Sequence, residues 1–191
     1  VRLFIIVTLF FLLLGFRGVA ICFTLIIMSI ITDMGISGWM GIMLSPPLLS
    51  APNMILTMAI ANGLHLLVTM RYEMALGRDK ITGMVESMRI NFRPIFVTTL
   101  TTMLGFLSLN FSDAPPFHDL GNIASMGVAA AFIFSVTFLP AIVSILPATG
   151  KKEVAGKQMM TRFGEFVIAK QKSLLVGNAL IILALAAFVP F

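Results

Sequence analysis

PIFVTTLTTMLGFLSLNFS, residues 94–112, contains no charged side chain. An α-helix rises 1.5 Å per residue, so about 20 predominantly apolar residues cross a hydrocarbon layer of about 30 Å. Five further runs approach or meet that length: 1–16, 19–43, 51–71, 118–146 and 174–191. In lipid every backbone polar group must find its partner internally, so isolated spans of this kind are helices. The expected fold class is therefore all-α, a polytopic transmembrane helix bundle. Composition agrees, with 59% hydrophobic and 11% charged residues, where soluble domains carry about 25% charge. The chain begins with Val1 rather than methionine and reaches Phe191 inside an apolar run, so both ends are expected to be cuts.

Residues 1–16, with Arg2, could imitate a signal peptide. No small-residue cleavage site follows them and five more spans do, so a true helix is expected. Ser50 before Pro52 reads as an N-cap with proline in the first turn, and Pro94 is expected to open its span in the same way. Pro46-Pro47 and Pro115-Pro116 mark turns, and Pro140 should kink the run 118–146. Gly35, Gly38 and Gly41 predict an irregular outer end for 19–43. Cys22 lies alone in an apolar run, which excludes an internal disulfide and predicts a buried, unreactive thiol.

Orientation follows from the basic residues. Arg17, the five in 71–93 (Arg71, Arg78, Lys80, Arg89, Arg93) and the six in 147–173 make twelve of the thirteen. All twelve fall on one side of the predicted membrane, which the positive-inside rule makes cytoplasmic. The opposite turns, 44–50 and 113–117, have none. The net charge of +5 is thus a topology signal with contact to anionic lipid heads, and no nucleic-acid partner is expected. Ile81, Met84, Val85 and Met88 follow a helical apolar period, as do Met159, Phe163, Phe166 and Val167. Both segments are expected to be amphipathic helices near the inner membrane face, the alternative being solvated loops.

Polar groups inside the spans are the candidates for function, because lipid penalises them. Asn62 and His65 lie three residues apart near the middle of 51–71, and Thr69 extends their helix face. They read as a polar relay or coupling site, or as a helix–helix hydrogen bond that only positions the bundle. Thr98, Thr101, Thr102, Gly105 and Ser108 share one arc of 94–112. Gly121, Ser125 and Ala129 form a small-residue ridge on the next span. Close packing explains both sets, and a polar path lined by the threonines is the sharper idea. Asp33 is the one carboxylate inside an apolar run and is expected near the outer interface, with a coupling role as the alternative. Arg71-Tyr72 forms an interface anchor, and His118 is expected at the interface after its proline turn. No spacing suggests a metal site, a cofactor, a nucleotide loop or a nucleophile–base pair, so no enzyme is expected.

Two strings carry a resemblance. Arg93-Pro94 through Leu109 resembles the proline-initiated, threonine-rich, Gly-Phe helix of resistance-nodulation-division (RND) exporters, in particular the group of MmpL lipid exporters, Patched and the sterol-sensing domains. Phe111 through Gly121, with the helix ending Phe138-Leu139-Pro140-Ala141, is similar to the turn and helix that follow. Ala61-Asn62-Gly63-Leu64-His65-Leu66-Leu67 falls where that family has its mid-membrane polar motif.

The resemblance implies that 1–146 corresponds to helices two to six of a twelve-helix protein. Segment 147–173 would be a cytoplasmic amphipathic linker, and 174–191 the start of the second-half helices. It implies a secondary-active, proton-driven exporter of hydrophobic or amphiphilic molecules such as lipids or drugs. It also implies a cell inner membrane location, large periplasmic domains elsewhere in the chain, homo-oligomers and a periplasmic partner. A sterol-sensing-type lipid-responsive regulator and a SecD/SecF-like protein-translocation subunit share the bundle and remain alternatives. Asn62 stands where proton-driven members usually carry an aspartate. Asparagine cannot titrate, so His65 is left as the group able to carry a proton there. The expected site is Asn62 and His65, with Thr98, Thr101 and Thr102 on the neighbouring helix.

Overall fold

Apolar runs become helices in this chain wherever a residue at each end stops or starts the backbone ladder, and those residues set the true boundaries. The computed structural model describes residues 16–42, 45–146 and the isolated positions 165, 166, 169, 170 and 177. The predicted spans 1–16 (all but Phe16) and 174–191 (all but Gly177) lie outside the described residues, as does most of segment 147–173. The chain divides into two compact units, Val1–Lys151 and Lys152–Phe191. In the second, the Lys170 ammonium stands 5.5 Å from the Phe166 ring centre, a cation–π contact.

The first unit contains α1 (Phe16–Trp39), a 3-10 turn (Pro46–Ser50), α2 (Ala51–Ala75), α3 (Lys80–Leu107), a second 3-10 turn (Ser108–Phe111), α4 (Pro115–Val136) and α5 (Phe138–Ile145). No strand occurs among the described residues. Among the described residues four segments are long and apolar enough to cross a membrane: Arg17–Trp39, Pro46–Ala75, Lys80–Phe111 and Pro115–Ile145. The all-α transmembrane bundle expected from the sequence is what the chain forms. Helices α2 and α4 make its middle, with α1 packed on one flank of the pair and α3 on the other. Ile55, Ala59 and Leu66 of α2, Cys22 and Leu25 of α1, Ala131 of α4 and Leu139 of α5 share the core.

Four boundaries differ from the sequence expectation. The basic region 71–93 is not a loop. Helix α2 runs through Arg71-Tyr72 to Ala75, and α3 begins at Lys80. Four residues turn the chain. Gly77 takes φ +97°, the Arg78 amide donates to the Glu73 carbonyl at 3.3 Å and the Gly77 amide to Met74 at 3.1 Å, a Schellman motif. Asp79 then caps α3, its Oδ2 accepting from the Ile81 and Thr82 amides at 3.2 and 3.3 Å. Those bonds hold the Asp79 carboxyl below the usual carboxylate range, the Thr82 contact being the largest cause.

The second difference is Pro94, which lies inside α3 rather than opening it. Proline forfeits one helical hydrogen bond, and at membrane depth neighbouring groups can absorb that loss. The segment expected as a separate surface helix is thus the first part of α3. Met84 of its apolar set is buried, while Ile81 and Val85 are exposed. Third, Ser50 does not cap α2. It is itself helical, and its hydroxyl donates to the Pro47 carbonyl at 2.7 Å. Fourth, Gly35 and Gly38 sit in unbroken helix, and irregularity begins only at Gly41, with φ +70°.

Pro140 acts as expected. Its ring cannot tolerate the carbonyl four residues back, and α4 stops at that residue, Val136, before α5 resumes at Phe138. The end of α5 is then pinned to the start of α3, because the Lys80 ammonium donates to the Ser144 and Leu146 carbonyls at 2.7 and 2.9 Å. A cation at a helix C-terminus also complements its dipole.

Candidate functional site

In a bundle without water, polar side chains either bond within the protein or face something other than lipid, and the helices sort them into three groups. The first staples α2 to α3. Ser87 Oγ donates to the Leu66 carbonyl at 2.6 Å, and Asn91 Nδ2 donates to Thr69 Oγ1 at 2.9 Å and to the Ser87 carbonyl at 2.9 Å. Gly83 lets the helices close at this level, since a Cβ there would lie 3.3 Å from the Met70 carbonyl oxygen. Nearby, buried Glu73 meets Arg78 at 3.0 Å. Glu73 Oε2 has no aligned hydrogen bond, so the contact is electrostatic.

The second group faces outward. On α2 the exposed positions include Asn53, Thr57, His65 and Tyr72. On α3 Thr98, Thr101 and Gly105 are exposed, as is Ser108 just after it, and the hydroxyls donate to carbonyls of α3: Thr98 to Pro94 at 2.8 Å, Thr101 to Val97 at 2.9 Å, Ser108 to Gly105 at 2.6 Å. The exposed stripe of α1 is different in kind, with Phe23, Ile27 and Ile31.

The third group is buried without partners: both carboxylate oxygens of Asp33, Asn62 Nδ2 and Thr99 Oγ1. Asp33 is fully buried, Asn62 is 3% exposed and Thr99 3%. The sequence placed Asp33 near the outer interface. It lies six residues before the end of α1 and is enclosed by α1, α2 and α4, where a Cβ built on Gly127 would come within 3.0 Å of its Cγ. Thr99, which the sequence reading passed over, lines a cleft of about 120 Å³ with Phe96, Leu100, Met103, Ala129 and Phe132.

Of the expected site, Asn62 points into the core, His65 points out, Thr98 and Thr101 point out, and Thr102 is half-buried. Thr101 Oγ1 also donates to the Thr98 carbonyl at 3.0 Å, within α3, and among the described residues no side-chain hydrogen bond joins Asn62 or His65 of α2 to these threonines. Asn62 and His65 share a helix, and the wheel that made them neighbours also divides them between the core and the surface. His118, expected at the interface, is half-buried and its Nε2 lies 2.6 Å from the Ser112 carbonyl. Among the described residues no group of three His, Cys, Asp or Glu side chains could hold a metal.

The helices and their enclosed polar groups define a class, a multi-pass membrane bundle. The MMPL family model matches residues 1–171, and the chain belongs to the MMPL family. It is similar to the hopanoid transporter HpnN of Rhodopseudomonas palustris, 29% identical over 122 residues, which cover 64% of this chain and 14% of that protein. It is also similar to a membrane protein of Streptomyces coelicolor, 28% identical over 148 residues (71% of this chain, 21% of that one). A third relative is a membrane protein of Methanocaldococcus jannaschii, 28% identical over 124 residues (63% and 31%). The matched regions thus span less than a third of each relative's length. No solved structure matches the chain.

Proposed function

We propose that this chain is part of the membrane domain of a secondary-active exporter of hydrophobic or amphiphilic molecules, driven by protons, in the cell inner membrane. Family membership and the hopanoid transporter among the relatives support a lipid-like substrate. The observation that carries the proposal is the contrast between exposed faces. The stripe of α1 is apolar and suits lipid, whereas α2 presents Thr57 and His65 beside Val68, and α3 presents Thr98 and Thr101 among exposed Phe96, Val97, Leu100 and Leu104. A polar stripe at membrane depth meets protein or water. We assign the α2 and α3 faces to the other half of the transporter and to the path between the halves, where such machines rock. His65, Asn62, Thr98, Thr101 and Thr102 are then coupling residues at that seam. Homo-oligomers and a periplasmic partner would belong to the parts of the protein that carry the periplasmic domains.

Two measurements check this. In sealed spheroplasts, single cysteines replacing Lys80 and Pro115 in the full-length protein should react with an impermeant thiol reagent from opposite sides, position 115 from outside. Reaction of both from one side would remove the topology. In proteoliposomes of the full-length protein, an imposed pH gradient should move a hopanoid between leaflets or to acceptor vesicles, and a protonophore should stop it. Movement that ignores the gradient would end the proton-driven assignment.

A further inference from the structure

We propose that Asp33 is a proton-binding site of this transporter, occupied when α1, α2 and α4 pack as they do in this structure and emptied when α4 moves off α1. The inference rests on the exporter reading for its role in transport, but not for the binding itself.

An isolated carboxylate buried in an apolar interior is prohibitively costly, and such a group is neutralised instead. Asp33 is fully buried and neither oxygen has a hydrogen-bond partner. The two hydroxyls nearest along α1 are committed elsewhere: Ser29 donates to the Leu25 carbonyl and Ser37 to Asp33's own backbone carbonyl, each at 2.8 Å. Among the described residues no countercharge faces the group from any packed element. On α1 the other titratable groups are Arg17, sixteen positions away, and Cys22, eleven away. On α2, His65, Arg71, Tyr72 and Glu73 lie ten or more positions beyond Ile55, which packs at the level of Asp33. On α4, His118 and Asp119 lie eight or nine positions before Gly127. None of them reaches the carboxyl.

A metal cation does not fit the same site. Hard cations gather about six oxygen ligands, and no second oxygen is directed at Asp33. A proton needs only the carboxyl. The site also has a cover: the α4 backbone closes on it at Gly127, where a Cβ would meet Ile55 Cδ1 at 2.3 Å and Asp33 Cγ at 3.0 Å. With no side chain at 127, a small shift of α4 decides whether water reaches the acid. When it does, the proton leaves Asp33 for that water and the carboxylate becomes solvated. On the proposed topology Asp33 lies about 24 Å from Arg17 and about 9 Å from Trp39, close to the outer side where protons enter. It supplies the titratable acid that Asn62 cannot.

The test uses the full-length protein in membrane vesicles, treated with dicyclohexylcarbodiimide, which reacts with protonated carboxyls in apolar surroundings. Peptide mass mapping should find an adduct at Asp33 at pH 6.5 and much less at pH 9, with Asp113 and Asp119 unmodified. In the hopanoid assay, Asp33→Asn, a neutral mimic of the protonated acid, should fold but move substrate at least tenfold more slowly under a pH gradient. Asp33→Glu should restore part of the rate. No adduct at Asp33, or D33N moving substrate at the wild-type rate, overturns the proposal. Wild-type protein that moves nothing under the gradient overturns the exporter reading instead, and the adduct then still decides the proton site.

Discussion

Gly121→Val should prevent the bundle from folding, and Gly121→Ala should already lower the melting temperature of the detergent-solubilised full-length protein by several degrees. A Cβ at 121 would lie 2.5 Å from the Phe106 carbonyl oxygen and 3.0 Å from Leu109 Cβ. Close C···O contacts settle near 3.3–3.6 Å, so α3 and α4 would have to part by about 1 Å at their crossing. The obstacle is backbone, which no rotamer change relieves, and α4 is simultaneously packed on α1 and α2. Overpacking of this kind typically costs about 1–3 kcal/mol, and valine's branched Cβ adds to it. Gly35→Ala is the control. It sits in α1 with nothing within 4 Å of its Cβ position, so helix propensity alone applies and alanine should be neutral or gain up to about 1 kcal/mol. A wild-type melting curve for Gly121→Val would show that the crossing is looser than the geometry says.

The four described membrane spans could be read from composition because the bilayer imposes one length and one pattern on them. Their ends could not be read from charge. Five basic residues in 71–93 read as a surface segment between two spans, yet the turn is only Leu76-Gly77-Arg78-Asp79, and the basic residues other than Arg78 sit on the helices either side. The local signals were present: a glycine able to take positive φ and an aspartate three residues before a helical amide. Pro94 misled in the opposite direction, since proline marks a helix start in water but is tolerated within a long helix in a bundle. The polar candidates were legible as residue types and not as directions. A helical wheel says that Asn62 and His65 share an arc, but only the neighbours of α2 decide where that arc meets the edge of the core. Asp33 was placed near the interface because glycines follow it. Its burial depends on Gly127 of α4, ninety-four positions along the chain, and no local pattern reports that.

His65→Leu in the full-length protein should reduce gradient-driven hopanoid movement at least tenfold while leaving expression and melting temperature close to wild type. The structural half of this follows from exposure: His65 faces out of the bundle and no hydrogen bond from it to another described side chain holds α2 in place, so leucine removes no core packing. The functional half follows from the membrane. An outward imidazole at mid-span is costly against lipid and becomes tolerable against water or a polar partner, in keeping with the proposed position at the seam between halves. An imidazole can also accept and release a proton. His65→Gln separates the two roles, since glutamine retains hydrogen bonding but not titration. If His65 only hydrogen-bonds across the seam, glutamine keeps most of the rate; if it carries the proton, glutamine fails like leucine. Undiminished movement in both variants would take His65 out of the mechanism and leave Asp33 as the acid on this half of the transporter.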